Sequence, residues 1–124
     1  MNPLAYASIC DVADIDSEGG VAAVVAGRAV AIFRTSDDRI YALDNFDPFA
    51  RASVLARGIV GTMGTGRQTV DFVASPMYKQ RFDLRTGRCL DDAAASVACY
   101  DVRVVDGVVM VGEDGTVTEG GADA

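Results

Sequence analysis

Apolar residues along this chain come in short runs broken by glycine, aspartate and asparagine, with almost no helical spacing. The runs "VAAVVA" and "AVAIFR" flank Gly27-Arg28 and predict a β-hairpin. "TSDDR" follows as a polar turn, then "IYALDN" as a strand rich in β-branched and aromatic residues. A loop opens at Phe46. "SVLARGIVG" is a further short apolar piece, and "TMGTGRQ" is a flexible hairpin connection into "TVDFVAS". "RFDL" alternates ahead of a bend at "RTGR". The strongest hairpin signal is Asp106-Gly107 between "VACYDVRVV" and "VVMV", because Asp-Gly supplies the positive φ angles of a type I′ turn. "LDDAAASVA" is too short to count as a helix. The pattern predicts an all-β domain, a small sandwich or barrel.

At 124 residues, 50% of them hydrophobic and 23% charged, the chain suits one soluble domain with a single core. The domain is expected over residues 1–111, followed by an acidic, Gly-rich tail at 112–124 with little to bury and therefore mobile. The longest apolar runs fall far short of the roughly 20 residues that span a bilayer. "MNPLAYASICDVADID" lacks the basic-then-apolar order of a secretory signal. The expectation is a cytoplasmic protein with no membrane association. Cys10, Cys89 and Cys99 show no C-x-x-C spacing and are expected to act as small buried hydrophobes, with no disulfide framework.

A formal net charge of −7 disfavours nucleic acid as a partner. The charge is unevenly spread. Between Asn45 and Leu90 lie seven basic residues (Arg51, Arg57, Arg67, Lys79, Arg81, Arg85, Arg88) against three acidic ones (Asp47, Asp71, Asp83). A basic middle in an acidic chain fits either a docking face for an anionic partner or a set of solvated arginines. The glycines of "GTMGTGR" match neither G-x-x-x-x-G-K-[ST] nor G-x-G-x-x-G, and a strand follows them, so they are a loop and no phosphate site.

The most specific pattern is "YALDNFDPF" together with "ASPMYKQRFDLRTGRCL" at 74–90. Pro48 and Pro76 stand at matching places, and "FDLRTG" (Phe82 to Gly87) follows the second. Here the chain resembles the Rieske fold, in which two loops at one end of a β-sandwich hold a [2Fe–2S] cluster through C-P-H and C-P-x-H motifs. On that resemblance the cysteine positions fall on Asp47 and Ser75, and the histidine positions on Phe49 and Tyr78. A Rieske centre holds one iron with two thiolates and the other with two imidazoles. Phenylalanine has no lone pair, a serine hydroxyl is a poor substitute for a thiolate, and the chain contains no histidine. No cluster is expected. Asp47 and Tyr78 offer oxygens to a hard metal, but two ligands are too few. Phe49 and Tyr78 are expected instead to fill the space a cluster would take.

With "VLARGIVG", "ASPMYKQRFDL" and the substituted "DNFDPF", the chain is similar to the small subunit of bacterial assimilatory NAD(P)H-dependent nitrite reductase over about residues 6 to 111. That resemblance implies an accessory, non-catalytic subunit of an enzyme that reduces nitrite to ammonium. The large subunit would carry FAD, sirohaem and an iron-sulfur cluster. This chain would hold no cofactor, metal or catalytic residue of its own. Its basic residues nearest the two loops, Arg51, Lys79 and Arg81, are then candidates for docking on the large subunit. An electron-transfer ferredoxin is excluded by the lost ligands. A free-standing, cluster-less interaction module on the same scaffold remains the alternative.

Overall fold

β3 (Arg28–Arg34) is apolar on both sides, and that sets the layering. Val30 and Ile32 point into one cluster of buried residues, whereas Ala31 and Phe33 point into a second. A strand buried on both faces must lie in a middle sheet. A computed structural model describes residues 5–116 and places β3 there, in a sheet ordered β10-β4-β3-β2. Its companions are β2 (Gly20–Val25), β4 (Ile40–Asp44) and β10 (Cys99–Tyr100).

One face of this sheet packs Val30, Ile32 and Ala42 against Val109 and Val111. Those valines belong to β12 (Val108–Gly112), which lies between β1 (Tyr6–Asp11) and β11 (Val102–Val105). The other face packs Ala31, Phe33 and Leu43 against Leu55, Val60, Val73 and Phe82. Three of these come from a small antiparallel sheet of β7 (Ile59–Met63), β8 (Val70–Ala74) and β9 (Arg81–Asp83). β5 (Phe46–Asp47) and β6 (Ala52–Ser53) form a separate two-residue ladder. The described residues are thus nearly all β, as the pattern predicts, and the sheets stay separate rather than closing into a barrel.

The hairpin turns follow backbone chemistry. Asp106 and Gly107 sit at φ 52° and 79° between the paired Val105 and Val108. The first hairpin turns on Ala26-Gly27, one residue earlier than its sequence predicts, with φ 51° and 81°. Arg28 is instead the first residue of β3, opposite Val25. β1 has no counterpart in the expected strands. Its alternation is broken by a bulge between Ser8 and Cys10 where it pairs with β12. The ordered chain also runs past the expected boundary at 111. Gly112 ends β12, and Thr116 exchanges backbone hydrogen bonds of 2.8 Å with Cys99. The rest of the expected tail, 117–124, lies outside the described residues.

Gly58 joins a 3-10 turn at Leu55–Arg57 to β7 and touches the strand that leads into the second loop. A Cβ there would lie 2.3 Å from the Ala74 carbonyl oxygen and 2.8 Å from Val73. Gly58→Ala should therefore lower stability in urea unfolding by about 1–3 kcal/mol through overpacking. An unchanged midpoint would mean that β7 does not press on the base of that loop.

Candidate functional site

β5 and β8 each lead into a loop, and the two loops have the same construction. In the first, the Arg51 N–H donates to the Asp47 carbonyl at 2.8 Å. In the second, the Lys79 N–H donates to the Ser75 carbonyl at 3.0 Å. Each opening side chain also caps its own loop. Asp47 Oδ1 accepts the Phe49 N–H at 2.8 Å, and Ser75 Oγ accepts the Met77 N–H at 3.3 Å. Proline follows the opening residue in both and favours the turn that begins there. Arg51 and Lys79 close the loops at φ 55° and 65°, a left-handed conformation uncommon outside glycine and asparagine.

The loops meet through their opening residues. Ser75 Oγ donates a short hydrogen bond to Asp47 Oδ2, with both residues buried (1% and 0% exposed). Asp47 Oδ1 takes a second backbone N–H, from Ala50 at 3.3 Å. Three donors thus surround one buried carboxylate, the arrangement such a group requires. Asn45, which no motif above singles out as a site residue, anchors the site from behind. Its side-chain oxygen accepts the Ala56 N–H at 2.7 Å, and its carbonyl accepts the Leu55 N–H at 3.1 Å. Its place at the end of "ALDN", just before the loop, was the available signal.

The four degenerate positions therefore divide. Asp47 and Ser75 face each other and bond directly. Phe49 turns inward, its ring 6.2 Å from that of Phe82. Tyr78 does not fill the gap as expected; it is 61% exposed, because the Asp47–Ser75 contact already draws the loops together. This donor set does not fit a Rieske cluster: the thiolate positions hold a mutually bonded carboxylate and hydroxyl, and the imidazole positions hold a packed ring and an outward phenol. Among the described residues no group of three His, Cys, Asp or Glu side chains is placed to hold a metal ion. The cysteines lie outside both loops, and burial pushes the thiols of Cys89 and Cys99 up, away from the reactive thiolate.

The three basic candidates also divide. Arg51 and Lys79 are exposed, and among the described residues they make no ion pair. Arg81 is engaged within the domain. Its guanidinium meets Asp91 at 2.7 Å, its backbone N–H donates to the same carboxylate at 2.8 Å, and it lies 5.9 Å from the Phe72 ring centroid. These bonds from Arg81 hold the Asp91 carboxyl below the usual carboxylate range.

A family model described as a Rieske-like [2Fe-2S] domain matches residues 5–112. The chain is 45% identical over 107 residues to the nitrite reductase (NADH) small subunit of Salmonella typhimurium, covering 86% of this chain and 95% of that protein. The chain belongs to the nitrite reductase small-subunit family of Rieske-like domains. The NMR structure of the Escherichia coli protein NirD is similar at a TM-score of 0.74 and 42% identity, covering 86% of this chain and 94% of that one. A further relative of the family is the nitrite reductase [NAD(P)H] large subunit of Klebsiella oxytoca, 40% identical over 107 residues. There the match covers 86% of this chain and 11% of that protein, so the domain is one part of a much longer polypeptide.

Two predictions follow from this geometry. Asp47→Ala and Ser75→Ala should each destabilise the protein, by at least about 2 kcal/mol for Asp47, which leaves three donors unmatched. The double variant should fall short of their sum by about 1 kcal/mol, the coupling expected of contacting partners. Strict additivity in urea unfolding would show that the two side chains do not interact. The Asp91 ion pair should in turn be pH-dependent. A carboxyl depressed in the folded state stabilises above its unfolded value of about 4 and loses that contribution as pH falls. The difference in melting temperature between wild type and Asp91→Asn should be present at neutral pH and close below about pH 4. A gap that persists in acid would contradict the pairing.

Proposed function

We propose that this chain is the accessory small subunit of a cytoplasmic NAD(P)H-dependent nitrite reductase, which reduces nitrite to ammonium in nitrate assimilation. The large subunit carries the FAD, sirohaem and iron-sulfur cluster and performs the electron transfer. The small subunit contributes no catalytic residue and no cofactor. It docks on the large subunit through its loop tip, and neither nucleic acid nor membrane is a partner. The observation that carries this reading is the pair of loops closed by Asp47 and Ser75: the scaffold of an electron-transfer tip is kept, and its electron carrier has no donors. What remains useful in such a tip is its shape and charge.

The long Klebsiella relative supports the subunit reading over a free-standing interaction module, since a matching domain there is part of a polypeptide named as the large subunit. Arg51 and Lys79 supply the electrostatic part of docking. Their charges are not neutralised by described neighbours, so they are available to steer an acidic partner surface and to fix its register. Arg81, engaged with Asp91, contributes little to that field.

The purified chain should be colourless, contain less than about one tenth of an equivalent of iron and acid-labile sulfide, and reduce no nitrite by itself. Added to its large subunit, it should co-purify and raise or stabilise NAD(P)H-dependent nitrite reduction. Near-stoichiometric iron with a visible absorption band would contradict the cofactor-free role. A large subunit equally active and equally stable without this chain would contradict the accessory role.

A further inference from the structure

Several large apolar side chains near the second loop face solvent and contribute nothing to the core. Met77 and Tyr78 are 55% and 61% exposed, and Ile59 on β7 is 73% exposed. Ile59 pairs with Ala74, the residue immediately before the loop. The outer face of the small sheet therefore adjoins the loop tip. Residues that pair directly share a face, and alternate residues along a strand share it too. Gly61 with Phe72, and then Met63, continue that face away from the loop, where the Arg81 guanidinium lies over the Phe72 ring and donates to Met63 Sδ at 3.6 Å, while Val60, Val73 and Phe82 point inward to the core. A Cβ on Gly61 would meet the Phe72 ring at 2.8 Å, so the ring lies over bare backbone. β7 is also an edge strand with neither proline nor charge, and among the described residues its second edge is unpaired. Soluble domains generally protect such an edge.

We propose that Ile59, Met77 and Tyr78 form the apolar centre of the docking surface for the large subunit. Arg51 and Lys79 supply its cationic contribution. This rests on the accessory-subunit reading. Charge favours the large subunit over a second copy of this chain, because two copies would each bring a net charge of −7. Cations that make no ion pair among the described residues, near an apolar strip, match a partner surface that is apolar at its centre and acidic around it. The Klebsiella polypeptide adds a second reason, since the matching domain there shares one chain with large-subunit sequence and is held close to it. The strip therefore sets how long the complex lasts, and the two cations set how fast it forms.

The test measures association and dissociation rates of the purified large subunit across a salt series. Ile59→Gln/Met77→Gln removes apolar surface without adding charge. Because both residues are exposed, its melting temperature should match wild type. Dissociation should be at least about tenfold faster, with association little changed. Tyr78→Ser serves as a second variant and should act in the same direction. Arg51→Glu/Lys79→Glu should do the opposite, slowing association and flattening its salt dependence. Wild-type dissociation rates in both apolar variants would overturn the proposal. So would a wild-type homodimer in sedimentation that the same variants abolish, because the strip would then be covered by a second copy. Failure of the wild-type chain to bind the large subunit at all would instead overturn the accessory-subunit reading on which the proposal stands.

Discussion

One buried hydrogen bond, from the Ser75 hydroxyl to the Asp47 carboxylate, ties together two loops that start on different sheets. Most of the tip's geometry depends on it. With the opening residues in contact, each loop closes four residues later on a left-handed residue, Arg51 or Lys79. Phe49 is left facing the core, and Tyr78 is left facing water. In a cluster-bearing relative of this fold, metal–ligand bonds cross-link the corresponding loops. Here a carboxylate with three donors joins them. A carboxylate buried this fully is tolerable only while its donors stay in place, so the same contact that joins the loops also fixes their shape.

How much of this was legible in the sequence depended on the range of the interaction concerned. Local signals read well. Asp106-Gly107 specified its turn by backbone preference alone, and the two Pro-containing motifs located both loops. Interactions between distant segments read poorly. Nothing in "LDD" marks Asp91 as the partner of Arg81, because the pairing exists only once β9 and the following bend are folded. The expectation that Tyr78 fills the cluster's space assumed a gap of cluster size, whereas Ser75 and Asp47 had already closed it. β1 was missed because its bulge breaks the alternation that marks a half-buried strand. Glycine and acid content after residue 111 likewise conceals the backbone bridge between Thr116 and Cys99.

A donor set that does not fit a cluster does not make the tip a vestige. Its buried Asp47 carboxylate accepts three hydrogen bonds, and its exterior combines exposed apolar groups with two exposed cations among the described residues. Neither property is needed for folding: exposed charges contribute only about 0–1 kcal/mol, and apolar groups in water contribute nothing to burial. Both properties are useful to a surface that must be recognised and held. A scaffold whose ligand positions hold other residues is thus still suited to presenting the surface around them.

The central claim is that a hydrogen bond, and no metal, holds the two loops together. Amide hydrogen exchange of Phe49, Arg51 and Lys79 in the presence of a strong chelator tests it most directly, because those N–H groups are bonded to Asp47 and Ser75, the two residues whose side chains join the loops. The account predicts slow exchange in chelator, comparable to the strands that flank the loops and unaltered by added iron or zinc. Rapid exchange in chelator that slows when metal is restored would contradict it.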